Sequence, residues 1–209
     1  MLDPLPGPPP WLKDLVKPWA IYFKVPTLFD HIHELLFAFT FYQFVHFVLS
    51  PWLSPKLFPR SYRNFNRRTK INWDTHVVSF IQSTVINVMS LWVMWSDKER
   101  ASMNAGERIY GYTGTSGLLG ALAAGYFLYD LIISSIYINV FGIGMLLHAI
   151  SAVWVFSFGF VSFHFLGKPG LNSPFIDLYL LEAVSQLLCS EFHPLRALES
   201  VPQHPLVPR

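Results

Sequence analysis

The chain has 209 residues, of which 52% are apolar and only 13% charged, about half the charge of an ordinary soluble domain. A net charge of +2 is too small to favour nucleic acid as a partner, and the single cysteine, Cys189, excludes an internal disulfide framework and any cysteine-based zinc site. Low charge combined with apolar runs near 20 residues predicts an all-α polytopic transmembrane helical bundle of about four spans.

Residues 1–32 read as a Pro-rich and interfacial N-terminal segment. The first ten residues are rich in proline and read as disordered. With no basic stretch followed by an apolar core, they do not resemble a cleaved signal peptide. Residues 11–30, with Trp11, Trp19, Tyr22 and Lys24, suit a bilayer interface. Pro18 and Pro26 argue against one continuous helix there.

Span one is predicted over 33–53, span two over 76–95, span three over 115–137 and span four over 140–165. The break between the last two is placed near "INVFGIG", where Asn139, Gly142 and Gly144 weaken a helix. The loop "SPKLFPRSYRNFNRRTKIN" holds Lys56, Arg60, Arg63, Arg67, Arg68 and Lys70, whereas the next loop balances acids and bases. The positive-inside rule places the first loop in the cytosol and both ends of a four-span unit on the other side.

Polar residues inside the spans are the informative exceptions. Span three carries Tyr126, Asp130, Ser134 and Tyr137 at steps of four, four and three, one face of a helix. A carboxylate within a span is costly, so it faces a bundle interior or a wet cavity and often marks function. Span two carries His76, Ser79, Ser83, Asn87 and Ser90 at helical spacing. For the serines and Asn87 ordinary helix packing is the better reading. Span four carries His148, which makes an acid–base unit with Asp130 if spans three and four pack as a hairpin. Tyr42 and His46 on span one can join the same interior. "HIHE", with His31, His33 and Glu34, reads as an interfacial cluster and not as a site. No metal, nucleotide or nucleophile motif is present, and no cofactor is expected.

Three stretches together resemble the TLC domain family of multi-pass membrane proteins. "INWDTHVVSFIQS" is similar to the family's Trp-x-x-His-Val-Val-Ser opening of a span, "GYFLYDLI" to its Gly-Tyr-Phe-x-x-Asp signature, and "MLLHAIS" to a segment that often carries two consecutive histidines. Gln82 and Ala149 stand where many members have further histidines. The longer His- and Asp-rich motif of ceramide synthases is missing, so the resemblance is to the non-synthase members. It implies an endoplasmic reticulum membrane location and a role in lipid homeostasis through lipid binding, sensing or modification, with membrane lipids, sphingolipids among them, as partners. It carries over His76, Asp130 and His148 as interior residues. The expected lipid-binding set is His76, Tyr126, Asp130 and His148, and the catalytic candidates are Asp130 and His148.

The expected transmembrane domain covers 33–166 and an irregular tail covers 167–209. From about residue 161 the family pattern is expected to dissolve, as in a shortened member or a retained intron, since Val161–Ser162 is what a common splice-donor hexamer encodes in frame. Two rival functions follow from the same residues. One is a ceramide-synthase-like acyl-CoA-dependent N-acyltransferase, with His148 as base and Asp130 orienting it. The other is a structural or interaction protein in which the polar stripes only pack helices. Whether the chain is an enzyme, and its oligomeric state, are left open by the sequence.

Overall fold

A computed structural model describes residues 5–23, 25, 27–104, 113–157 and 160. Among them the chain is helical and contains no strand. Helix α1 (Pro10–Tyr22) precedes α2 (Leu28–Phe44), which runs through a π-helical turn (Val45–Leu49) into α3 (Ser50–Leu57). A single turn, α4 (Pro59–Tyr62), leads to α5 (Arg67–Ser96) and the short α6 (Lys98–Ser102). Helices α7 (Gly114–Ile136) and α8 (Ile138–Ser157) complete the described bundle.

Four stretches are long and apolar enough to cross a membrane: Leu28–Leu57, Arg67–Ser96, Gly114–Ile136 and Ile138–Ser157. The predicted number of spans is therefore present, and the largest differences in extent are at the starts of the first two. The first span starts at Leu28, not 33. The second starts at Arg67, nine residues before the predicted start at 76. The reason is a cap: Asn66 Oδ1 accepts the Thr69 N–H at 2.9 Å, so the helix nucleates in the basic loop before its apolar part begins. At the N-terminus, Pro18 lies inside α1 instead of ending it, and the break between the first two helices falls after Tyr22. Residues 161–209, the greater part of them the expected tail, lie outside the described residues.

Helix α7 is the centre of the bundle and the most buried span, with α2, α5 and α8 packed around it. Its start is fixed by a reciprocal cap in which Thr113 Oγ1 accepts the Ser116 N–H while Ser116 Oγ accepts the Thr113 N–H. Small residues let its neighbours approach, as in most membrane helix interfaces. The tightest point is Gly125, where an added Cβ would stand 2.6 Å from the Leu35 carbonyl oxygen and 2.7 Å from Ala38 Cβ.

The π-helical turn has a local cause. Pro51 has no N–H to give the Phe47 carbonyl, and its ring would crowd that turn. The backbone widens instead, and the Ser50 N–H bonds the Val45 carbonyl five residues back. Between α7 and α8 the helix breaks at Tyr137, and Gly142 has φ +80°, a left-handed conformation that suits glycine. The break thus falls where the weak helix formers predicted it.

Each end of the bundle is pinned by a carboxylate. Asp97, just past α5, accepts the N–H groups of Glu99 and Arg100 at 3.1 and 3.2 Å and the Thr115 hydroxyl at 2.5 Å. Burial works against its charge, but the bonds from Thr115, the Arg100 backbone and Thr113 outweigh that and hold the carboxyl below its ordinary value. At the basic end, Asp74 accepts hydrogen bonds from Ser50 at 2.6 Å and from Tyr62 at 3.1 Å. Burial and the Asp74 carboxylate push the Tyr62 phenol up to about 12.

Candidate intramembrane polar site

The interior of the bundle is a column of polar and aromatic side chains contributed by three spans. Helix α2 and its π-helical turn supply Tyr42 and His46. Helix α5 supplies Thr75, Ser79 and Gln82, and α7 supplies Tyr126, Tyr129, Asp130 and Ser134. The spacing follows from the helices. Residues 126, 129/130 and 134 recur at three and four and so share the face turned inward. Ser50–Asp74 and Tyr42–Gln82 are each eight residues apart on both partners, as two antiparallel helices in register require.

Three tyrosines form the middle of the column. The Tyr42, Tyr126 and Tyr129 rings are mutually packed at centroid distances of 5.5, 6.2 and 6.0 Å. Each phenol has a partner on another element. Tyr42 donates to Gln82 Oε1. The Tyr126 hydroxyl lies 3.0 Å from Ser79 Oγ. The Tyr129 hydroxyl lies 2.9 Å from His46 Nδ1. The His46 ring stacks against Tyr137 at 6.5 Å. The wider π-helical turn is what carries His46 into this position.

Asp130 is 6% exposed, and Ser134 one turn on is buried on the same helix face. His148 on α8 is exposed at the bundle surface and acts on Asp130 electrostatically across the α7–α8 contact. No hydrogen bond joins the two among the described residues. Of the four residues expected to bind lipid, Tyr126 and Asp130 therefore lie in the interior, His76 is half-buried, and His148 is outside the column. Ser83 and Asn87 bond carbonyls of their own helix at 3.0 and 2.8 Å, as packing residues do.

Several members of the column were not foreseen. Tyr129 follows Tyr126 by three, so the signal for it was present in the stripe. Gln82 was noted only as a departure from a histidine pattern, yet it receives the Tyr42 hydroxyl. Asp74 precedes the predicted start of span two at 76, yet it lies buried within α5. In "HIHE", His31 and Glu34 are each 2% exposed, and His31 Nδ1 lies 2.9 Å from Glu34 Oε2. Their spacing of three puts them on one face, and α1 packs over this part of α2.

Four apolar helices around such a column define an integral multi-pass membrane protein. A model of the TLC domain matches residues 72–172. An uncharacterized TLC domain-containing protein of Schizosaccharomyces pombe is 34% identical over 181 residues, covering 84% of this chain and 60% of the relative. Topoisomerase I damage affected protein 4 of Saccharomyces cerevisiae is 32% identical over 127 residues, covering 60% of the chain and 43% of the relative. TLC domain-containing protein 4 of Homo sapiens is 27% identical over 105 residues, covering 50% and 38%. No solved structure matches. The chain belongs to the TLC domain family, and it spans at most 60% of the length of these curated relatives. The family match runs to residue 172, past the point near 161 where the pattern was expected to dissolve.

Proposed function

We propose that this is a lipid-handling protein of the endoplasmic reticulum membrane, which binds, senses or modifies a lipid through its intramembrane polar column. The observation that carries the reading is the concentration of Tyr42, His46, Tyr126, Tyr129 and Asp130 at the meeting of three spans. Polar groups are expensive in that setting and tend to mark ligand pathways. Phenol, imidazole, carboxyl and amide groups are suited to the hydroxyls and amides of a lipid headgroup, sphingolipids included. Membership of the TLC domain family supports the same direction.

The test is photo-crosslinking of the purified protein with clickable sphingoid-base and phosphatidylcholine probes. Labelled peptides from the column helices, lost in Tyr129→Phe and Asp130→Asn, are the expected result. Labelling confined to the outer faces of the spans would reject the reading.

A second reading has its own support. The Tyr42, Tyr126 and Tyr129 hydroxyls are each satisfied by the protein itself, which is what pure packing requires. The acyltransferase reading asks for His148 to be oriented by Asp130, and the electrostatic contact without a hydrogen bond gives it less support.

A further inference from the structure

The basic loop is more than a topological signal. No Asp or Glu occurs between Glu34 and Asp74, while Lys56, Arg60, Arg63, Arg67, Arg68 and Lys70 fall within fifteen residues. Lys70 belongs to the interior arrangement, since its ammonium lies 5.6 Å from the Tyr62 ring and acts on Asp74. The four arginines are exposed, and among the described residues no carboxylate pairs with any of them.

Two features set them apart from a floppy charged linker. First, they are mounted on a built platform. Phe58 and Phe65 pack on Trp73 at 5.3 and 5.6 Å, Tyr62 packs on Phe65 at 6.0 Å, and the Tyr62 hydroxyl bonds Asp74. Asn64 Nδ2 donates to the Arg60 carbonyl at 2.7 Å, and Asn66 caps α5. Secondly, Arg67 and Arg68 occupy the first turn of α5, where the helix's own partial positive charge makes cations unfavourable. Helix stability does not explain them, whereas an anion at that end would be attracted by both.

The surroundings identify the kind of anion. Trp52, Leu57 and Phe58, in the stretch of chain that leads into the arginines, are large, apolar and exposed, and the Lys56 ammonium lies 3.3 Å from the Trp52 ring centre. Aromatic and long basic side chains arranged in this way lie at the boundary between acyl chains and headgroups. We propose that Arg60, Arg63, Arg67 and Arg68 form a docking surface for the phosphates of anionic phospholipids in the leaflet at this end of the bundle. Guanidinium groups hold phosphate in two-pronged fashion, and a cluster next to a span is the expected form of such a site. The surface is separate from the polar column and does not depend on the column's function.

The test uses the whole purified chain in phosphatidylcholine bilayers with spin-labelled lipids, measuring the preference of the protein's lipid shell for phosphatidylserine and phosphatidylinositol phosphate over phosphatidylcholine. Arg60→Gln/Arg63→Gln and Arg67→Gln/Arg68→Gln are made separately, so that each leaves the other cations to hold the topology. The expected result is a clear preference for the anionic lipids in wild type, falling about five-fold for each arginine removed or to parity, and weakening with salt. The corresponding Arg→Lys pairs keep part of the preference, because charge remains when the two-pronged geometry is lost. Unchanged helical circular dichroism and midpoint in phosphatidylcholine verify the fold of each variant. An unchanged preference in both Gln pairs overturns the proposal. So does full displacement of the labelled lipid by millimolar inorganic phosphate, which would assign the arginines to a soluble anion.

Discussion

Gly125→Ala tests the packing that creates the polar column. The new Cβ would stand 2.6 Å from the Leu35 carbonyl oxygen, 2.7 Å from Ala38 Cβ and 3.0 Å from the Phe39 nitrogen. Two of these are backbone atoms of α2 and cannot swing aside as a side chain does. Restoring ordinary contact requires α2 and α7 to part by about 1 Å, and overpacking of this kind costs about 1–3 kcal/mol. Alanine's better helix propensity returns up to about 1 kcal/mol. A net loss of about 1–2 kcal/mol corresponds to a fall of about 2–8 °C in Tm for a chain of this size. Thermal unfolding in detergent, followed by circular dichroism, reads the change. Gly144→Ala is the control, because nothing lies within 4 Å of its added Cβ. Ala38→Gly in the Gly125→Ala background should recover part of the loss by removing one of the contacts. If Gly125→Ala is as stable as wild type, the close α2–α7 crossing is wrong.

Other residues give independent checks. Gly142→Ala meets no atom within 4 Å but must hold φ near +80° with an extended ψ of 168°, so it should lose about 1–3 kcal/mol through backbone strain alone, read as a lower Tm than that of Gly144→Ala. Tyr129→Phe removes the partner of His46 Nδ1 and should cost about 1–3 kcal/mol, with His46→Phe/Tyr129→Phe losing much less than the sum of the single variants. Asp97 is held below the ordinary carboxylate value, so its stabilisation is complete above that value, near 4, and is lost as pH falls through the lower folded value. Midpoints measured from pH 6 to pH 3 should therefore decline in wild type, and less steeply in Asp97→Asn.

The parts of the fold that a single sequence could reveal are those written in one helix at a time. Apolar length gives the spans, and the step of three and four gives the inward stripe of α7 with Asp130. Gly142 and its neighbours mark the turn between α7 and α8. What one helix cannot say is which neighbour each face meets. The pairs Tyr42–Gln82, His46–Tyr129 and Ser79–Tyr126 join residues on different spans and depend on how each helix is rotated and staggered. His46 depends further on a π-helical turn whose origin, Pro51, lies five residues beyond it. Asp74 and the His31–Glu34 pair were hidden for a related reason. Each sits at a span end, where burial is decided by what packs over it, α4 in one case and α1 in the other. His148 shows the converse, since the family resemblance implied an interior residue, yet the rotation of α8 leaves it exposed.

The central claim is that the polar column handles lipid instead of only packing helices. Its most direct test is a lipidome comparison in a host lacking this gene, re-supplied with wild type, Tyr129→Phe or Asp130→Asn at matched protein levels. The account predicts that wild type restores a specific lipid class and that both variants fail to do so. Full restoration by both variants would contradict it and leave the column a packing device.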